Sequence, residues 1–147
     1  MKDQLVLRVV AKLLAPFILL FGLYIQLHGE ISPGGGFQAG VVVASTFILY
    51  GIIFGLPAAQ KVFSLRAALR GAALGLLLYT GVGVATLVKG GELLNYSALS
   101  HHPVHGQHWG IWLIELGVLI TVSSVMVLVY YLFGGHGRQP GHEDTKS

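Results

Sequence analysis

His28-Gly-Glu-Ile-Ser-Pro-Gly-Gly-Gly-Phe-Gln-Ala-Gly40 stands between two long apolar runs, and its reading decides the fold. A joint between two membrane spans is ordinarily a polar or charged loop. This one holds one His, one Glu, a Ser-Pro step and three consecutive glycines that lead straight into the next apolar run. Ser32 suits a helix N-cap, and Pro33 suits the first helical position, where a missing N–H costs nothing. The sequence therefore predicts a helix start at Pro33, with Gly34, Gly35 and Gly36 in its first turn. Each of those glycines costs roughly 1 kcal/mol relative to alanine. An offsetting reason is expected: a backbone, an ion or water comes closer there than a Cβ allows.

Composition agrees with a membrane protein. Of 147 residues, 54% are hydrophobic and 10% charged, against about 25% charged in soluble domains. The chain reads as one all-α integral membrane domain. It has no cysteine, so disulfides and thiolate metal sites are excluded. The net charge of +3 reflects topology, and no nucleic-acid partner is expected.

Four transmembrane helices are predicted, at about 6–27, 35–56, 69–88 and 110–133. Each is near the ~20 residues that cross a bilayer. Pro57 is expected to help end the second span. The first run is too long for a cleaved signal peptide, and no small-residue cleavage site follows it. Lys2, Arg8, Lys12, Lys61, Arg66, Arg70, Arg138 and Lys146 fall on one side of this arrangement, with Lys89 alone opposite. The positive-inside rule then predicts that both termini are cytoplasmic. Residues 1–133 form the membrane domain, and residues 134–147 a polar, Gly-rich, disordered cytoplasmic tail.

The glycine motif also carries a resemblance. HGEISPGGGFQAG between two hydrophobic spans resembles the signature of the B-type component of the multisubunit Mrp-type (Mnh-type) cation/proton antiporters. Ser32, Pro33, Gly34, Gly35, Gly36, Phe37, Gln38 and Gly40 carry the match. It extends to chain size, the four spans, the motif between the first two and the short hydrophilic tail. Two positions depart from the family pattern: Glu30, where a His is common, and Ala39, where a Gly is. No role that needs a His at position 30 is carried over. The resemblance implies a subunit of an assembly in a prokaryotic cell membrane. That assembly exchanges cytoplasmic Na⁺, or a similar monovalent cation, for external protons. The implied partners are other membrane subunits, Na⁺, H⁺ and the lipid bilayer.

The chemistry-bearing residues are few. Glu115 is the single carboxylate well inside a predicted span, about 7–8 Å below its outer end. Carboxylates within a bilayer face a protein interior or a wet cavity. His108, Trp112 and Glu115 share a helical face at i, i+4 and i+7. They outline a protonatable ladder, against the plainer reading of a hydrogen-bonded structural Glu. Lys12 must lie about one turn inside the inner face, because the fifteen residues back from Leu27 cover only about 22 Å. Pro16 would clash with the carbonyl of Lys12 and bend the first helix there. Snorkelling to the inner headgroups is the favoured account of Lys12. His28, Glu30 and Gln26 lie near the outer end of the first span, as an interfacial cap or a small hydrophilic mouth against the glycine turn.

His101, His102, His105 and His108 invite a metal reading. Pro103 interrupts their helical spacing, and Glu92 is the nearest acid. No metal, haem or other cofactor is therefore expected. Gly36-x-x-x-Gly40, Gly71-x-x-x-Gly75 and the stripe Gly110, Gly117, Thr121, Ser124 mark helix-packing faces, some of them candidates for contact with other subunits. Four helices, one deep carboxylate and no internal repeat are too little for a whole antiporter. The expectation is a non-enzymatic small subunit that packs larger ones and is a candidate lining for part of the ion or water path. Three alternatives remain at this point. The same module could serve a membrane-bound hydrogenase-like ion-translocating complex. The histidine loop could serve a metal-dependent membrane enzyme. The chain could also form a free-standing homo-oligomeric channel.

Overall fold

The computed structural model describes residues 2–29, 31, 34–88, 90 and 103–136. Among them are five helices: α1 (Lys2–His28), α2 (Gly36–Phe54), α3 (Leu56–Val62), α4 (Leu65–Val88) and α5 (Pro103–His136). All but α3 are long and apolar enough to cross a membrane. The all-α, four-span expectation therefore holds.

The helix boundaries differ from expectation in instructive ways. The second span begins at Gly36 rather than Pro33. Its N-cap is Gly35, with φ 136° and ψ 174° and no side-chain capping bond. That span ends at Gly55, whose φ is 91°. Pro57 therefore does not terminate α2 but sits in the first turn of α3, where its missing N–H is harmless. The last helix starts at Pro103, so part of the expected outer loop is helical. α1 runs on through Pro16 without a break in the helix.

The four long helices pack side by side in the order α1, α2, α5, α4. α1 and α2 are antiparallel: a Cβ on Gly22 would lie 2.9 Å from Val43. α2 and α5 run parallel, with Gly36 against Glu115, Gly40 against Leu119 and Val122, and Gly51 against Tyr130. α4 and α5 are antiparallel, with Gly71 against Ser124 and Gly75 against Thr121 and Gly117. At each of these contacts an added Cβ would force a neighbour to shift. In lipid, helices gain little from burying apolar surface against each other. Close van der Waals approach through small residues takes over that role. The faces of Gly36, Gly40, Gly71, Gly75 and Gly117 thus meet within the chain. Membrane hydroxyls are satisfied locally: Thr46, Thr80, Thr86, Thr121 and Ser123 each donate to a carbonyl one turn back on their own helix.

α1 lies at one edge of this row. Leu13 and Phe17 are each 62% exposed and Leu20 is 61% exposed. Such a surface is covered in the membrane by acyl chains or by another protein.

The two ends of the row differ in content. At one end, Arg8 and Lys12 of α1 reach over the ring of Phe54, at 5.8 and 5.2 Å from its centroid. There the Tyr131 hydroxyl also donates to the Phe63 carbonyl at 2.7 Å, tying α5 to the end of α3. At the other end lie the glycine turn, Gln26, His28, His108 and Glu115.

Candidate functional site

Parallel packing of α2 on α5 carries Glu115 to the start of α2. A Cβ on Gly36 would collide with the backbone carbonyl of Glu115. A Cβ on Gly35 would lie 3.5 Å from one carboxylate oxygen, and a Cβ on Gly29 would lie 3.3 Å from the other. Gly34 closes the same turn on α1, where its Cβ would lie 3.0 Å from the Ile25 carbonyl. The glycine run therefore answers two demands. Gly35 adopts a backbone conformation that L side chains rarely take. Gly29, Gly34 and Gly36 leave room for three backbones and a carboxylate to converge.

The electrostatics follow from that placement. The first turn of a helix carries unsatisfied N–H groups and a partial positive charge. α2 has no acidic residue of its own in that turn. The Glu115 carboxylate, contributed by another helix, stands beside it. Helix N-termini are places where proteins hold anionic groups. The glycine turn and Glu115, which the sequence presents as separate features, are one site.

Glu115 also lines a cavity of about 300 Å³ with Gln26, Leu27, His108, Trp109 and Trp112. His108, Trp112 and Glu115 thus share a face, as their spacing predicts. Trp109 and Trp112 meet edge to face at 6.3 Å. Gln26 is only 4% exposed, and neither Nε2 nor Oε1 has a hydrogen-bond partner among the described residues. The sequence marks Gln26 only as part of a polar mouth. Its register is the further signal: Gly22, Gln26 and Gly29 follow at i, i+4 and i+7. Gly22 and Gly29 both face α2 and its leading turn.

The remaining candidates are less convergent. His28 is exposed, stacks on Tyr24 at 4.1 Å and donates from Nδ1 to the Tyr24 carbonyl at 3.1 Å, capping its own helix. Lys12 is exposed, and its ammonium over Phe54 reaches the C-terminal end of α2, where a cation complements the helix dipole. Phe37 and Gln38 point outward, Phe37 being 62% exposed, while Gly40 is buried against α5. Glu30, Ser32, Pro33, Lys89, Glu92, His101 and His102 lie outside the described residues, as do residues 137–147 of the expected tail.

Comparison with known proteins gives a consistent picture. A family described as "Domain related to MnhB subunit of Na+/H+ antiporter" matches residues 6–128. The chain is 30% identical over 144 residues to a putative antiporter subunit mnhB2 of Staphylococcus haemolyticus, covering 91% of this chain and 96% of that protein. It is 31% identical over 137 residues to a putative antiporter subunit mnhB2 of Staphylococcus aureus, with the same coverage of 91% and 96%. With the B-type component of the Na(+)/H(+) antiporter of Bacillus subtilis it shares 28% identity over 134 residues, covering 84% of this chain and 93% of that one.

Proposed function

The chain belongs to the family of domains related to the MnhB subunit of Na⁺/H⁺ antiporters, and from that premise we propose how it serves such a complex. It is a small membrane subunit of a multisubunit Na⁺/H⁺ antiporter in a bacterial plasma membrane. Both termini are cytoplasmic. The exposed apolar face of α1 packs against larger subunits or lipid. The outer end carries Glu115 as an ionisable wall of the path for H⁺ or Na⁺, with His108 leading toward the outer surface. One observation carries the residue assignment: the deep carboxylate stands at the glycine turn that marks the family. The relatives are antiporter subunits, which favours this over the hydrogenase-like and metal-enzyme readings.

Glu115 stands seven residues into an apolar stretch that begins at His108, about 10 Å along the helix. A carboxylate at that depth is expensive without a task or a partner. The start of α2 supplies a compensating field, and the cavity supplies access.

Two experiments test the proposal. A tagged chain extracted in mild detergent is expected to bring down the other antiporter subunits. Recovery of hydrogenase subunits, or of this chain alone, would refute the assignment. Cysteines placed at Ser97 and Gln139 of this cysteine-free chain are expected to label from opposite sides, Ser97 from outside. Labelling of Gln139 from outside intact cells overturns the topology.

A further inference from the structure

We propose that the groove between α2 and α4 binds an anionic phospholipid, with an acyl chain lying along α5 and the phosphate held by Arg66 and Arg70. The first ground is shape. α2 and α4 stand on either side of α5, and the space left between them is a cavity of about 220 Å³. Val43 and Phe47 of α2, Ala67 and Gly71 of α4, and Ile120 and Val127 of α5 line it. Val127 follows Ile120 by seven residues, about 10 Å of helix, so the cavity is extended along the spans. Its hydroxyls are already engaged or enclosed. Ser123 donates to the Ile120 carbonyl of its own helix, and Ser124 is buried against Gly71. An apolar groove running with the helices takes a hydrocarbon chain without stranding a polar group.

Charge at one end of the groove selects the lipid. Phe63, which also lines the cavity, stacks on Phe47 at 5.0 Å and joins the two walls there. Arg66 follows Phe63 by three residues, and Arg70 follows the lining Ala67 by three. On α4 the two arginines are i, i+4 neighbours. Both are exposed, as is Lys61, two residues before Phe63. Helical side chains lean toward the N-terminus, so both arginines lean out of the span toward its Leu65 end, at headgroup level. Among the described side chains the one carboxylate is Glu115, at the opposite end of the row. None of these three cations therefore meets a carboxylate among the described residues. A phosphodiester supplies a counter-charge, and the planar guanidinium fork suits its paired oxygens. A zwitterionic lipid would bring an ammonium of its own toward the same cations. Basic pockets between membrane helices on the cytoplasmic side hold anionic headgroups in this way. The bound chain then joins α2 to α4 across α5.

The inference rests on the proposed topology only for the leaflet, and the test places its probe in both leaflets, so the topology can fail without it. The intact complex is reconstituted in phosphatidylcholine vesicles that carry a small fraction of one of two probes. One is a phosphatidylglycerol with a photoactivatable diazirine on its acyl chain; the other is a phosphatidylcholine with the same chain. After illumination, peptide mapping reads attachment to residues 43–47, 67–71 and 120–127. The phosphatidylglycerol probe is expected to label these segments about fivefold or more above the phosphatidylcholine probe, the scale set by one basic side chain near an anionic headgroup. Arg66→Gln with Arg70→Gln is expected to bring the two probes level, and Arg66→Lys with Arg70→Lys to keep most of the preference. Ala67→Leu, which fills the groove, is expected to cut labelling by both probes. The parent comparison needs no substitution and decides the matter should a variant fail to assemble. Equal labelling by the two probes in the parent complex overturns the inference. So does an undiminished preference in the assembled Arg66→Gln, Arg70→Gln variant, or undiminished labelling in Ala67→Leu. Attachment of neither probe, with the groove segments cross-linking instead to a helix of another subunit, overturns it in favour of a protein occupant.

Discussion

The two ends of the helix row solve the same problem differently. Each must bring chain reversals and polar groups close to a bilayer. At the Phe54 end several polar groups are paired off. The Tyr131 hydroxyl meets the Phe63 carbonyl, Ser64 Oγ accepts from the Ala67 N–H, and Arg8 and Lys12 lie over an aromatic ring. At the Glu115 end, backbones converge through Gly29, Gly34 and Gly36, where an added Cβ would force a neighbour to give. A carboxylate stands at a helix start, and a buried amide lacks a partner among the described residues. Satisfied polar groups hold a structure together. Polar groups gathered beside a cavity are what chemistry requires. On the proposed function, the difference separates a scaffold end from a working end.

The strongest way to break this comparison is to fill the glycine turn. Gly36→Leu would drive a side chain into the Glu115 backbone, and we expect no assembled complex. Gly36→Ala is expected to lower stability by about 1–3 kcal/mol, the usual scale of overpacking. Gly34→Ala, whose Cβ would stand 3.0 Å from the Ile25 carbonyl, should do less. Melting temperature and yield of the purified complex report all three. Equal tolerance of Gly36→Leu and the parent residue would mean that the turn is merely a flexible joint.

Next in size is Glu115→Gln, which keeps shape and removes ionisation. Exchange is expected to fall about tenfold, equivalent to roughly 1.4 kcal/mol of activation free energy, with assembly intact. Glu115→Ala should do at least as much harm. A silent Glu115→Gln beside a Glu115→Ala that loses the complex would turn Glu115 into a structural hydrogen-bonder, and the two ends would be alike.

At the scaffold end the signs reverse. Tyr131→Phe removes one hydrogen bond and strands a carbonyl, so about 1 kcal/mol of stability should go. The rate of exchange per assembled complex should stay unchanged. Thermal unfolding and a transport assay on the same preparation separate these. Lys12→Met should have the smallest effect. An ammonium over an aromatic ring contributes about 0.5–1 kcal/mol at an exposed site, and exchange should hold. A large transport defect in Lys12→Met would place a second working site at the Phe54 end and sharpen the comparison against us.

The residues explain which features could be read in advance. Apolar runs separated by short polar joints specify spans at any level of description, because hydrocarbon thickness sets the required length. The i, i+4, i+7 spacing of His108, Trp112 and Glu115 puts them on a shared helical face by itself. Helix starts were less legible. Ser32 and Pro33 carry the local signals of an N-cap, yet α2 begins at Gly36. Close approach of α5 to Gly36 accompanies that later start, an influence no local propensity contains. Pro57 read as a stop and proved to be a start, because Gly55, at φ 91°, had already turned the chain.

The amino-acid sequence by itself determined the solvent this chain lives in, its four spans, its family and the short roster of ionisable groups within the bilayer. Those follow from composition and period, which are properties of each segment alone. Only the tertiary structure decided that Glu115, some eighty residues away in the chain, closes the glycine turn, and that Gln26 forms the opposite wall of its cavity. Partners across helices depend on which small faces meet and in which direction the helices run. In lipid that choice is made by close packing between segments, and no single segment records it.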